Sequence, residues 1–202
     1  MHNHWVTLSA AILLVFVISG GCASTTPPPV TTATPAPFQP AYQTPSEASS
    51  AAFTIRVGSL AAGSALPDIY TCKGAGESPE VAWDGIPSGT KSLVLILDDP
   101  DAPGGRFTHW ILYNIPPESG RLGQAQTHAK VLANGAQQGD TSAGLRGYYP
   151  PCPPVGTTHR YVFRLYAVDM DITQPTADRD SIDWALTGHT IAETKFMTTF
   201  TR

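Results

Sequence analysis

The chain has 202 residues, 42% hydrophobic and only 14% charged, with 18 Gly, 19 Pro and a formal net charge of -4. That length suits one domain or two small ones, and so much Gly and Pro with so little charge argues for a loop-rich β protein over a helical bundle. The basic residues are scattered, with no Lys/Arg cluster, which argues against a nucleic-acid-binding surface.

Residues 1–21 read as an export signal. Val6 to Ile18 is an apolar run, short for a membrane span but suited to a signal core, and Ser19-Gly20-Gly21 leads into Cys22. The pattern resembles a bacterial lipoprotein signal, in which the cysteine becomes the lipidated first residue of an envelope protein. A plain cleaved signal peptide and an uncleaved anchor are the rival readings, and Met1 to Trp5 carries no Lys or Arg. Residues 22–51 are dominated by Thr, Pro, Ser and Ala, with Glu47 the single charge. Such a segment has too little to bury to offset its ordering entropy, so it reads as an extended tether, holding a domain about 30 Å from a membrane as a coil.

The folded domain is expected over residues 52–202. Phe53, Ile55 and Val57 alternate with polar residues, as in a strand with one wet face. After a turn-rich stretch, Val81-Ala82-Trp83 is a short strand candidate. Leu93 to Leu97 is apolar on both faces, as in a central strand, and Trp110 to Ile115 reads as another. Between Leu122 and Gly147 turn signals dominate, with Ala129 to Ala133 the one strand candidate. Tyr148 to Pro154 holds four prolines and is a rigid irregular segment. Arg160 to Asp169 is the clearest strand, and its period of two puts His159, Tyr161, Phe163 and Leu165 on one face. Asp178 to Leu186 carries helix signals, with an Asp or Ser near Asp180-Ser181 as cap and Gly188 as stop, and Ile191 to Phe200 reads as a last strand. One antiparallel, mostly β domain with one or two short helices is the economical reading.

Polar chemistry gathers at strand ends. Asp98-Asp99-Pro100-Asp101-Ala102-Pro103 follows the central strand, His109-Trp110 opens the next, and His159-Arg160-Tyr161 opens the clearest one. Aspartates in a Pro-flanked turn commonly serve local N–H groups, but three acids within four residues repel one another unless a cation or imidazolium is close. Two histidines beside carboxylates form a pocket that donates to an anion, with the acids favouring the charged imidazole. A metal held by two His and two Asp is a rival, although no HExxH pattern occurs. Covalent catalysis has less support. No Gly-x-Ser-x-Gly elbow is present, and Cys152 sits among prolines without a helix N-terminus to activate it. In an oxidising compartment Cys72 and Cys152 either pair or remain small buried thiols.

Together, Asp99-Pro100-Asp101-Ala102-Pro103, His109-Trp110, Gly147-Tyr148, Pro151-Cys152-Pro153-Pro154, Gly156 and His159-Arg160-Tyr161 resemble the phosphatidylethanolamine-binding protein family, also called Raf kinase inhibitor proteins. The bacterial branch is the closer likeness, through Tyr70-Thr71-Cys72, Ser78-Pro79, Trp83, Gly188-His189 and Ala192-Glu193. The resemblance covers about Phe53 to Arg202. It implies an antiparallel β-sandwich with a small pocket for phosphate, phosphoethanolamine, acetate or a similar anion. That pocket would be lined by Asp99, Asp101, Pro103, His109, His159 and Tyr161, with backbone near Pro151 and Cys152 closing a wall and Phe107 at an aromatic position. Pro150 stands where bacterial relatives commonly have Gly, removing an N–H from that wall. The implied protein is a non-enzymatic binding domain without a cofactor, to which the tether and the lipid anchor at Cys22 would be additions that link it to a membrane. The alternative is an inhibitor or interaction partner of a protease or kinase, and a hydrolase built on the Asp/His cluster stands behind both.

Overall fold

In this computed structural model residues 51–173 and 177–202 are described, together with Thr26. Cys22, the apolar leader and nearly all of the tether lie outside the described residues. The strands and the helix of the described residues fall within the unit Glu47–Arg202.

Among the described residues, eight strands form two antiparallel sheets. The smaller has the order β1-β2-β5, from Thr54–Val57, Val81–Asp84 and Arg121–Leu122. The larger has the order β6-β4-β3-β7-β8, from Gln137–Gln138, Phe107–Ile115, Ser92–Asp99, Thr158–Val168 and Thr190–Thr201. The doubly apolar run is the middle strand, β3, and all eight of its residues are buried. Leu93, Leu95 and Leu97 pack with Trp110, Leu112, Phe163 and Leu165 against Ile55, Val81 and Trp83 of the small sheet. Val94 and Ile96 face the other way, with Ile111, against Ile182, Ala185 and Leu186 of the helix α1, Arg179–Leu186. A strand covered by a sheet on one side and a helix on the other reads as a continuous apolar run.

The helix is capped by Asp178, an aspartate close to the Asp180-Ser181 pair, whose carboxylate accepts from the Ser181 N–H at 2.8 Å. Asp178 has the extended backbone of an N-cap, which places its side chain across the free N–H groups of the first turn. Thr187 ends the helix and Gly188 follows at φ 79°. The expected strand at Ala129–Ala133 reduces to a single bridge, Val131 to Gln137. The strand there is the two-residue β6, where Gln138 accepts from Trp110 Nε1 at 3.0 Å in the interior.

Candidate functional site

The β3–β4 register contains a bulge that decides where His109 points. Leu97 pairs with Trp110, but the next residue, Asp98, pairs with Thr108, leaving His109 as the extra residue on β4. Simple alternation would put His109 on the helix side with Ile111. The bulge turns it instead towards the face that carries Asp99, as bulges beside binding sites commonly do. Asp98 goes to the helix side, where it accepts from Thr108 Oγ1 at 2.7 Å and meets Arg179 Nη2 at 3.3 Å. His159 reaches the Asp99 face from the start of β7, as the period of two required.

A cavity of about 350 Å³ opens where β3 ends and β4 and β7 begin. Asp99, Pro103, Phe107, His109, Cys152 and His159 line it, as the sequence suggested, together with Ala102, Tyr149, Pro153, Pro154 and Arg202. Asp99 is the organising acid. One oxygen accepts from His159 Nδ1 at 2.7 Å and the other from the Asp101 N–H at 2.8 Å. Both members of the Asp99–His159 pair are buried. His109 Nδ1 lies 2.8 Å from the Tyr149 carbonyl, which only accepts, so Nδ1 carries the proton. Each ring therefore has its Nδ1 tied to the protein. Neither Nε2 has a partner among the described residues, and neither belongs to the sealed, unpartnered polar atoms of the interior, so both rings present Nε2 to the cavity they line. The rings of Phe107 and Tyr149 flank His109, with centroids 4.8 and 5.9 Å away.

Several expected groups take other positions. Asp101 turns outward and grips Arg160, accepting from Nε at 2.9 Å, Nη2 at 2.7 Å and the backbone N–H at 2.8 Å. This charged fork brings its carboxyl down to about 2. It braces the turn after β3 and does not line the cavity. Tyr161 is fully buried, with its ring edge-on to His109 at 5.4 Å, so its hydroxyl is not on the cavity surface. Burial raises the Tyr161 phenol well above its ordinary range, and the nearby Asp99 charge adds to this. Pro151 is buried behind the wall, and Pro153 and Pro154 form the surface instead. The expectation that the acids would raise both imidazoles fails for His109. Its burial outweighs the Tyr149 carbonyl and the Asp99 and Asp98 charges, and lowers its pKa.

Cys72 and Cys152 are joined in a disulfide, with Cα atoms 5.4 Å apart. The Cys72 N–H also donates to the Pro151 carbonyl at 3.1 Å, and Tyr148 Oη donates to the Tyr70 carbonyl at 2.7 Å. The proline-rich wall is thus fastened to the segment around residue 70, while at its start the Tyr149 N–H donates to the His109 carbonyl of β4 at 2.8 Å.

A family model described as phosphatidylethanolamine-binding protein matches residues 57–201. The chain belongs to this family. Among its relatives, a protein named UPF0098 protein from Methanothermobacter thermautotrophicus is 45% identical over 139 residues, 68% of this chain and 91% of that one. LppC of Mycobacterium tuberculosis, described as a candidate lipoprotein, is 41% identical over 60% of this chain and 58% of its own length. Two solved structures share the fold. The phosphatidylethanolamine-binding protein homologue CT736 of Chlamydia trachomatis has a TM-score of 0.68 at 34% identity, covering 75% of this chain and 98% of that one. YbcL of E. coli, described as a member of the mammalian family, has a TM-score of 0.69 at 27% identity, covering 75% and 99%. The shared fold of these neighbours agrees with the two-sheet, mainly β architecture.

Proposed function

We propose that this family member is an exported, lipid-anchored, non-enzymatic domain that binds a small anion or a phosphorylated head group in the Asp99–His159 cavity. The observation that carries the reading is the pair of imidazoles whose Nδ1 atoms are occupied and whose Nε2 atoms face one cavity. An anionic oxygen arriving at Nε2 needs a donor there, so binding draws a proton onto the ring. At His159 the Asp99 carboxylate on Nδ1 stabilises the imidazolium so formed. At His109 burial opposes the charge, so the two rings are unequal partners. Phe107, Tyr149 and Pro153 supply an apolar flank for whatever carries the anion. Phosphate titrated calorimetrically in buffers of different ionisation enthalpy tests this. Proton uptake on binding, affinity rising as pH falls, and loss of both in His159→Ala are expected. Binding indifferent to pH and to that substitution would refute it.

The anchored location rests on the Cys22 signal and on the likeness to LppC. Palmitate labelling of the full chain that disappears in Cys22→Ala is the expected result, and labelling unchanged by the substitution would refute the anchor. One observation favours the reading as an inhibitor or partner of a protease or kinase. Val155 is 78% exposed directly after the disulfide-braced wall, a rigid presentation suited to a protein surface. Capture of an envelope protein that fails for Val155→Asp while phosphate binding persists would support that second reading.

A further inference from the structure

The arginines of this domain are mostly spoken for. Arg56, Arg106, Arg146, Arg160, Arg164 and Arg179 each hold a carboxylate. Arg202 lines the cavity and has no ion-pair partner among the described residues. Two acids of the cavity region are already engaged, Asp99 by His159 and Asp101 by Arg160. Arg202 is brought there by strand register. Thr201 pairs with Thr158 at the end of β8, next to His159 on β7. The Arg202 carbonyl then accepts from the Gly156 N–H at 2.7 Å, and its N–H donates to the Thr157 carbonyl at 3.4 Å. Its backbone is therefore fixed on the turn that follows the proline-rich wall, and its side chain takes no part in fixing it.

We infer that Arg202 is a ligand-binding and specificity-determining residue, whose guanidinium receives the outer oxygens of a phosphate monoester held at the His109 and His159 Nε2 atoms. This rests on the anion-pocket reading above and adds the class of anion to it. Three donors then surround the cavity, from β4, from β7 and from the residue after β8. A phosphate monoester has three peripheral oxygens to meet them, whereas a carboxylate has two. The guanidinium fork suits two oxygens of one phosphate, and it keeps its charge across the working pH range. The cavity volume, near the low end of small-molecule pockets, leaves room for a compact substituent on the phosphate.

The test compares phenyl phosphate with benzoate, titrated at pH 7.5 into the wild-type domain and into Arg202→Ala, Arg202→Lys and His159→Ala. Thermal melts check each fold, and the exposed Arg202 side chain is expected to leave the melt unchanged. The expected result is phenyl phosphate bound about tenfold more weakly by Arg202→Ala, the low end for a charge-assisted contact at a rim. Benzoate should weaken less, so that the preference for phosphate narrows, and Arg202→Lys should recover part of the loss. Equal loss for both ligands, or phenyl phosphate binding unchanged in Arg202→Ala while His159→Ala abolishes it, would overturn the inference and leave the pocket standing. Failure of the wild-type domain to bind either ligand would overturn the pocket reading itself, and the role of Arg202 with it.

Discussion

The disulfide offers the sharpest perturbation, because it couples global stability to the shape of the cavity. It joins residues 80 apart in sequence. In the chain-entropy treatment a loop of that length restricts the unfolded chain by about 15 cal/mol/K, or about 4.5 kcal/mol at 25 °C. A Cys72→Ser/Cys152→Ser variant should therefore lose about 3–4.5 kcal/mol, lowering Tm by roughly 8–16 °C for a domain of this size. The same variant should weaken anion binding for a local reason. Pro150, Pro151, Pro153 and Pro154 offer no N–H, so the wall cannot fasten itself by donating from those positions. With the bridge removed, the Cys72 N–H to Pro151 contact is the direct tie left between Cys72 and the wall. Differential scanning calorimetry of the oxidised wild type against the double serine variant, with phosphate titration of each at a temperature where both are folded, reads both effects. A loss below about 1 kcal/mol with anion affinity unchanged would refute the reasoning, since neither the loop-closure term nor the wall argument could then hold.

Two further outcomes separate the acids and the imidazoles. Asp99→Asn keeps the shape but removes the charge on His159 Nδ1, so phosphate affinity at pH 6 should fall about tenfold, while Asp101→Asn, off the cavity surface, should change it less than twofold; equal effects in a titration would contradict the assignment of Asp99 as the organising group. Acid unfolding should show two stages. His109, lowered by burial, contributes stability that is complete above its unfolded value of about 6.5 and is lost as pH falls below it. Asp101, held at about 2 by Arg160, contributes stability that is complete above about 3.8 and is lost only as pH approaches 2. Denaturant midpoints from pH 8 to pH 2 check this: His109→Gln should flatten the upper stage and Asp101→Asn the lower. A curve with both stages unchanged in these variants would contradict the assignments.

Much of the fold was legible because its long strands carry strong patterns. Leu93 to Leu97 read as central because both of its faces are covered, and the alternation through Leu165 put His159 on the correct side. The two-residue strands β5 and β6 were invisible, since Arg121–Leu122 and Gln137–Gln138 contain no period to detect. Their pairing is imposed by neighbours, as where Gln138 receives the Trp110 indole. In the site, alternation alone could not place His109, because a bulge one residue wide reverses the face. Nor could it separate Asp99 from Asp101, whose different roles depend on Arg160 turning back to the second acid. Tyr161 lay on the expected face but one layer too deep. Arg202 was missed because its place follows only from the register of β8 on β7, and Tyr149 because nothing in its own neighbourhood announced that its carbonyl would orient His109.

The central claim is tested most directly by nitrogen NMR of the imidazoles during a phosphate titration at pH 6. The free domain should show Nδ1–H tautomers at His109 and His159, with both Nε2 atoms unprotonated in their neutral fractions. Saturating phosphate should then shift Nε2 of both rings, His159 moving furthest towards the imidazolium position. Nε2 signals that do not respond to phosphate at either ring, in a domain that remains folded, would contradict the account.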